Sequence, residues 1–361
     1  MRDAPDVLRR TGTQAAVVDQ LSGGLSGVVN QVDLPLIHVA NALPVNWCDC
    51  VFPPMVGWPY RSGLLARLRN HVASALLRHL TRPVLARYSD YYRRHGIPFD
   101  FEGPNSGFSR LAQIAQLPAA FDFPNPELPP WFHHTGPFHD GQGRAEAGFP
   151  WDKLSSEPLI YASMGTVQNG FEHVFRTIAE ACSDLGCQLV MSIGPILTLD
   201  AVGRLAGNCI AVTYAPQLEL LRRAALCITH AGLNTALESL AAGVPMVAIP
   251  VTNDQPGVAA ASPTPAPAPW CPSAGSPRFG SAALSGRCSA MTATAKARGG
   301  YRPPSKRQTD WNAQQISSTN VWAHEISGVA MQCPRLYPGP RKRYKRWRRR
   351  GYWCRRTCSQ R

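Results

Sequence analysis

Between residues 158 and 260 the chain alternates short, almost wholly apolar runs with segments whose apolar residues recur at helical spacing. Such runs are typical of strands that are buried on both faces. The pattern predicts strands at 158–164, 188–193, 209–214, 226–229 and 244–249. It predicts helices at 171–186, 216–221 and 233–242. Repeated strand–helix units of this kind predict a parallel sheet with helices on both sides, and so an α/β fold.

Residues 12–150 are less regular, but they predict strands at 15–18 and 34–40 of the same type. A helix is predicted at 64–80, because its apolar residues recur every three or four positions along one stripe. That stripe contains Leu65, Leu68, Val72, Leu76 and Leu80. Core packing is the usual role of such a stripe, and contact with a membrane surface is the alternative. The glycine-rich segment 141–148 is predicted to link a first domain, 1–150, to a second domain, 151–260.

The composition changes abruptly at Ala261. Residues 261–361 hold 19 Lys and Arg against two acids, with only six Leu, Ile or Val. The high isoelectric point of the whole chain therefore comes from this segment. The segment can bury too little apolar surface to fold, so it is predicted to be disordered. The basic run 341–350 would ordinarily indicate a nucleic-acid-binding protein. Out-of-frame translation is the favoured interpretation, because the sequence loses all strand and helix periodicity at one point.

The chain has neither the apolar core of a secretory signal near Met1 nor an uninterrupted apolar run long enough to span a membrane. Cys182, Cys187, Cys209 and Cys227 lie within apolar segments, where free cysteine behaves as a small hydrophobic residue. The remaining pair before residue 260, Cys48 and Cys50, lacks the second pair of a zinc site. These observations predict a reduced, cytoplasmic protein without a metal site.

The segment 214–260 contains the residues that indicate chemistry. The strand at 226–229 carries Thr229 and His230 to its carboxyl end, Gly232 completes a tight turn, and Asn234 and Thr235 begin a helix. Free N–H groups and the positive end of the helix dipole suit a phosphate, and a glycine lets the backbone approach it closely. His230 and the first-turn side chains add donors. The sequence therefore predicts a metal-free cradle for a diphosphate.

Other polar residues fall at the same edge of the predicted sheet. Glu238 lies one turn further along the helix, where it can accept hydrogen bonds from ribose hydroxyls; a surface acid is the alternative. Asp254 and Gln255 follow the next strand and suit the hydroxyls of a sugar. Tyr214 and Gln217 close another strand and offer a ring and an amide to a base.

This spacing resembles the donor-binding signature of the UDP-glycosyltransferase family. The resemblance implies two facing Rossmann-like domains of the glycosyltransferase B type, with no cofactor besides a UDP-sugar donor, UDP-glucose by expectation. It implies that Tyr214 and Gln217 contact uridine, that His230, Asn234 and Thr235 contact the diphosphate, and that Glu238 binds ribose. It further assigns Asp254 and Gln255 to the transferred sugar, and Thr166, after Gly165, to the loop beside the phosphates.

Segments 17–20, 34–44 and 108–124 are similar to the bacterial zeaxanthin glucosyltransferases. That resemblance implies inverting transfer of a hexose to a hydroxyl of a hydrophobic, carotenoid-like acceptor, with contact at the inner face of the membrane. Asp19 aligns with the aspartate that orients the family's base histidine; a cap on the following turn is the alternative. By this resemblance the chain is expected to align from the fourth or fifth strand onward and to lack the base histidine. Both domains are expected to be incomplete, with little or no turnover, and a catalytically dead UDP-sugar-binding module is the competing hypothesis.

Three histidines outside this signature are given structural roles. His38, in the middle of an apolar strand, is predicted to pack in the core. His133 and His134 are predicted to form a solvated pair in a loop between proline-rich and glycine-rich segments.

Overall fold

The computed structural model describes residues 3–46, 48–97, 107–138, 148–166 and 170–261, together with residues 284, 286 and 288. The first sheet contains β1 (Ala16–Asp19), β2 (Leu36–Ala40), β3 (Ala112–Ala115) and β4 (Phe132–His134), all parallel and in that spatial order. The helices of this part are α1 (Ala4–Arg10), α2 (Gly23–Gln31) and α3 (Leu64–Arg94), with a 3-10 turn at Pro54–Val56.

The second sheet contains β5 (Leu159–Ser163), β6 (Gln188–Ser192), β7 (Cys209–Val212), β8 (Ala224–Thr229) and β9 (Met246–Ala248). Its spatial order is β7-β6-β5-β8-β9, and every pair is parallel. The helices are α4 (Glu172–Cys182), α5 (Leu199–Val202), α6 (Gln217–Leu221), α7 (Leu233–Ala241) and α8 (Gln255–Ala261), and a 3-10 turn at Trp151–Lys153 precedes β5. Each strand predicted for this part is present, with its ends moved by a residue or two. The α/β prediction is confirmed.

Apolar packing joins the two sheets. One cluster of buried residues combines Leu43 and Phe52, from loops of the first sheet, with Leu233 and Val258 of the second. At the same junction Gly257 of α8 lies against Pro54, so that a Cβ added to Gly257 would lie 2.6 Å from the Pro54 carbonyl oxygen. The two sheets therefore share one buried cluster, and each has a further cluster of its own. The proposed domain boundary at residue 150 falls between β4 and β5.

The helix predicted at 64–80 is present but continues to Arg94. Its apolar stripe faces outward: Leu65 is 84% exposed and Leu76 is 58% exposed. The buried residues of its first half are Ala66, Asn70 and Ser74, which also repeat every four positions. The prediction of core packing is therefore wrong, because the small side chains allow the close approach that the leucines would prevent. None of the described helices is both long enough and apolar enough to cross a membrane.

His133 and His134 do not lie in a loop as predicted. They belong to β4, and Nε2 of His134 lies 2.7 Å from Oδ2 of Asp122 in a largely buried pair. The strand was missed because it has only three residues and no apolar run. It is recognisable only from its pairing with β3.

The expectation of wholly reduced cysteines is also wrong, because Cys48 and Cys50 form a disulfide with their Cα atoms 5.2 Å apart. A turn in which the Val51 N–H donates to the Cys48 carbonyl brings the two sulfurs together. Glu127 lies beside them, and the three residues form a group with metal-ligand spacing among the described residues. Thiolates ligate metals only when free, so the disulfide and a metal exclude each other. The cysteines at 182, 187, 209 and 227 are free, as expected.

Most of the segment predicted to be disordered, 261–361, lies outside the described residues, as does most of the predicted linker 141–148. Residues 284, 286 and 288 are described and helical, and Leu284 and Cys288 are fully buried in the core of the second sheet. A spacing of four places both side chains on one face of a helix. At these positions the segment is structured.

His38 is buried in β2, as predicted, and uses both ring nitrogens. The Ser109 N–H donates to Nδ1 at 2.8 Å, so the proton is on Nε2, which lies 2.8 Å from the Ser26 hydroxyl. Burial lowers the pKa of His38 from 6.5 to about 4, and the charge of Asp19 offsets only part of this. The folded protein therefore holds His38 neutral.

We expect this histidine to make stability fall in acid. The unfolded state takes up the proton at about pH 6.5 and the folded state only at about pH 4, so stability is lost as the pH falls through that window. The lost stability is on the order of 3 kcal/mol. Urea unfolding at pH 7.5 and pH 5 should show a smaller pH effect in His38→Gln. The exposed His79→Gln should match the wild type, and equal pH effects in all three proteins would contradict the assignment.

Candidate functional site

The site lies at the carboxyl ends of β5 and β8, adjacent strands in the middle of the second sheet. After Thr229 the chain turns through His230, Ala231 and Gly232 into α7. Ala231 is buried with φ at 64°, in the left-handed region that disfavours a Cβ atom. The Thr229 hydroxyl accepts the Ala231 N–H at 3.2 Å and fixes this turn. The turn directs the start of α7 toward the loop that follows β5.

The His230 ring is enclosed by two glycines, Gly165 after β5 and Gly232 before α7. A Cβ atom added to either glycine would lie 2.7 Å from Cε1 of His230, closer than carbon atoms can approach. Gly232 is predicted from the sequence to let an anion approach the backbone closely. The structure adds a different requirement, because each glycine leaves room for the imidazole.

His230 is an uncharged hydrogen-bonding group in this setting. Burial lowers its pKa, and the hydrogen bond at the Ser163 backbone opposes this only in part. Nδ1 is buried, and no described residue makes a hydrogen bond to it. At neutral pH the ring therefore carries no positive charge, and its single N–H is available to a ligand in the tautomer that does not donate to the Ser163 backbone.

The start of α7 supplies further donors. Gly232 is the N-cap residue and has no side chain to cap the helix, so the first-turn amides have no side-chain partner at that position. Asn234 is exposed in this turn, whereas Thr235 is buried. The arrangement has the features of an anion site at a helix N-terminus, with His230 beside it.

Glu238 is not a surface acid, because only 3% of it is exposed. Gln217 donates from Nε2 to Oε2 of Glu238 at 2.6 Å and lies 3.4 Å from the Thr235 hydroxyl. The hydroxyl of Tyr161, on β5, donates to Oε1 of Gln217 at 3.0 Å. This chain of hydrogen bonds holds the Glu238 carboxylate in place beside Thr235, in the first turn of α7. Tyr161 was not among the predicted site residues.

Tyr214 and Gln217 point in different directions. Tyr214 is 46% exposed at the end of β7, so its ring is accessible to a flat ligand. The Gln217 amide is engaged with Tyr161 and Glu238. Its contact with a base stays a prediction.

Asp254 and Gln255 occupy the junction with the first sheet. Oδ2 of Asp254 accepts the Leu43 N–H at 3.1 Å, and burial raises the pKa of this carboxyl. Oε1 of Gln255 accepts the N–H groups of Val251 and Thr252 at 2.8 and 3.0 Å. Both side chains therefore hold loops in place, and their contact with a sugar also stays a prediction.

Two predicted residues lie apart from this hydrogen-bonded group. Thr166 is exposed in the loop after β5. Asp19 ends β1, where its carboxylate accepts the Leu21 N–H at 2.8 Å and the Asn41 amide at 3.0 Å. The first of these bonds is the turn cap given above as an alternative, and no described histidine forms a hydrogen bond with Asp19.

A buried amide cluster in the first sheet was missed by the sequence analysis. Gln20 donates to Asn46 and Gln113 at 3.1 and 3.3 Å, and Asn46 donates to Gln113 at 2.8 Å. The cluster anchors the loop that carries Leu43 to Asp254. Isolated amides carry no periodic signal, so the cluster could not be predicted from local patterns.

Two parallel sheets packed on a common buried cluster, with an uncapped helix terminus at one carboxyl edge, have the architecture of an α/β protein of the glycosyltransferase B type. Residues 65–264 match the model of the "UDP-glucoronosyl and UDP-glucosyl transferase" family. Because that match covers more than half of the chain, the protein belongs to this family.

Curated relatives and a solved structure agree with this. The chain is 32% identical over 266 residues to "Zeaxanthin glucosyltransferase" of Pantoea ananas, covering 72% of this chain and 60% of the relative. It is 33% identical over 258 residues to the enzyme of the same name from Pseudescherichia vulneris, covering 71% and 61%. The chain thus spans about three fifths of the length of these relatives. The solved "Spinosyn Forosaminyltransferase SpnP" shares the fold, with a TM-score of 0.57 at 16% identity over 88% of this chain and 79% of that one.

Proposed function

We propose that this chain binds a UDP-sugar at the carboxyl edge of the second sheet, for transfer of its hexose to a hydroxyl of a hydrophobic acceptor. The observation that carries the proposal is the His230 ring, held between Gly165 and Gly232 beside the uncapped start of α7. Backbone amides and a neutral imidazole N–H suit a diphosphate. The names of the two zeaxanthin glucosyltransferases support glucose as the sugar and a carotenoid as the acceptor.

In the proposed reaction the acceptor oxygen attacks the anomeric carbon of the sugar. The bond from that carbon to the diphosphate breaks, its electron pair goes to the leaving phosphate oxygen, and the configuration inverts. The α7 amides and His230 stabilise the charge on the departing UDP without a metal. The acceptor proton must pass to a base, and such help contributes roughly a hundredfold to ten-thousandfold.

Asp19 does not provide that base system within the described residues, because its partners are Leu21 N–H and Asn41. This favours donor binding with little turnover, so a UDP-sugar-binding module without catalysis is the second candidate. Calorimetry with UDP-glucose, followed by an assay of glucose transfer to zeaxanthin, distinguishes the two. We propose a cytoplasmic location at the inner face of the membrane, where a lipophilic acceptor is available, and no nucleic-acid partner.

The donor site predicts the behaviour of a double variant. Replacing His230 and Asn234 by alanine should weaken UDP binding at least about a hundredfold, because two donors to a charged ligand are lost and each contributes about 1.5–3 kcal/mol. Isothermal titration of the folded variant measures this. His79→Ala, on α3, should bind as the wild type does. Unchanged affinity in the double variant would refute the proposed site.

A further inference from the structure

The outward face of α3 has no role in the donor site. We call the row Leu65, Leu68, Val72, Leu76 and Leu80 the α3 stripe; each of its members is at least 58% exposed. The helix is fixed to the protein by other faces. Asn70 donates to the Asp49 carbonyl at 3.2 Å, and the buried Tyr92 packs against Gly27 of α2. Folding of the described chain therefore leaves the stripe uncovered.

The shape of the stripe favours a flat partner. At 1.5 Å per residue it is about 22 Å long. At 3.6 residues per turn, each step of four residues rotates by about 40°, so the five side chains spread over a broad face of the helix. A partner helix packs on a narrow apolar row, whereas a broad apolar face is suited to lie in the plane of a membrane interface.

The charge of the helix indicates which kind of membrane surface it binds. From residue 64 to residue 89 there are five arginines and no acidic residue. At about 100° per residue, Arg82 lies about 40° outside the arc of the stripe, and Arg67 and Arg78 lie about 80–100° outside it on the same side. A basic helix with one apolar face is typical of binding to anionic lipids, because long arginine side chains reach phosphates while the apolar residues enter the interface. A second copy of this helix would bring like charges together.

We propose that the α3 stripe docks the protein on a membrane surface rich in anionic lipids. The five apolar side chains enter the interface, and the long side chains of the arginines on the flank of the helix reach lipid phosphates. Membrane docking uses no residue of the donor site. The proposal can therefore fail while UDP binding is confirmed, and the reverse. It would bring the protein to the phase in which a carotenoid-like acceptor dissolves.

Vesicle flotation with the full chain tests this proposal. The wild type should float with vesicles of phosphatidylcholine and phosphatidylglycerol in equal parts, and much less with phosphatidylcholine alone. The variant Leu68→Gln/Leu76→Gln/Leu80→Gln should bind the anionic vesicles at least about tenfold more weakly, because three exposed leucines that enter the lipid interface are lost. Gln preserves the helix, and the replaced residues are exposed, so the variant should fold normally.

Matched controls and a local measurement separate α3 from the basic run 341–350, which also attracts anionic lipids. Ile196→Gln/Leu199→Gln replaces exposed apolar residues elsewhere and should bind as the wild type does. Hydrogen exchange of peptides from 64–85 should slow when vesicles are added, and only in proteins with the stripe intact. Equal flotation of the triple variant would overturn the proposal. So would a wild-type dimer in light scattering that the triple variant abolishes, because the stripe would then bind a second copy.

Discussion

Gly232→Ala should bind UDP at least about a hundredfold more weakly than the wild type. The added Cβ would lie 2.7 Å from Cε1 of His230, so the ring must leave its place or the start of α7 must move. Either change separates the imidazole N–H from the α7 amides, and the loss corresponds to about two charge-assisted hydrogen bonds. The backbone of Gly232, with φ −64° and ψ 135°, is open to any residue. The expected effect therefore comes from the clash alone, and titration calorimetry measures it.

A double variant identifies the clash as the cause. In Gly232→Ala/His230→Ala the ring is gone, and affinity should equal that of His230→Ala alone. Such non-additivity is expected only when two residues act through one contact. Gly148→Ala, whose Cβ would meet no atom within 4 Å, should leave UDP binding unchanged. Wild-type affinity in the single Gly232→Ala variant would show that the ring has room to spare, contrary to the geometry.

The second sheet could be predicted closely because its strands carry their own signal. All five residues of β5 are buried, and β8 is almost as fully buried, so each is a continuous apolar run. β4 has no such run, and its position depends on pairing with β3. The periodicity of α3 showed which residues share a face. It could not show which face is covered, because that depends on elements distant in sequence.

For the site, the sequence indicated that His230, Asn234 and Glu238 follow a buried strand at one edge of the sheet. It did not indicate what their side chains contact. The enclosure of His230 by Gly165 depends on the register that places Ser163 of β5 beside Thr229 of β8. The bond between Leu43 and Asp254 joins residues 211 positions apart. Contacts that depend on register or on packing between sheets are absent from local patterns.

The hydrogen-bond chain below α7 gives Glu238 a testable role toward the ribose. Its carboxylate is buried, and Oε2 is engaged by Gln217 at 2.6 Å. We propose that the carboxylate also accepts from a ribose hydroxyl. A hydrogen bond to a charged group contributes about 1.5–3 kcal/mol, which is roughly 10- to 100-fold in affinity. The wild type should therefore prefer UDP to 2′-deoxy-UDP by about that factor.

Glu238→Gln should remove most of this preference while binding UDP about tenfold more weakly, since a neutral amide is a poorer acceptor. The new amide oxygen can still accept from Gln217, so the fold is retained, and unchanged thermal unfolding verifies this. Tyr161→Phe keeps the carboxylate but frees Oε1 of Gln217. It should reduce the preference for UDP only in part, because Glu238 remains charged but is held less firmly. Should Glu238→Gln discriminate between the two nucleotides as the wild type does, the carboxylate has no contact with the ribose, and its buried bonds to α6 serve the fold alone.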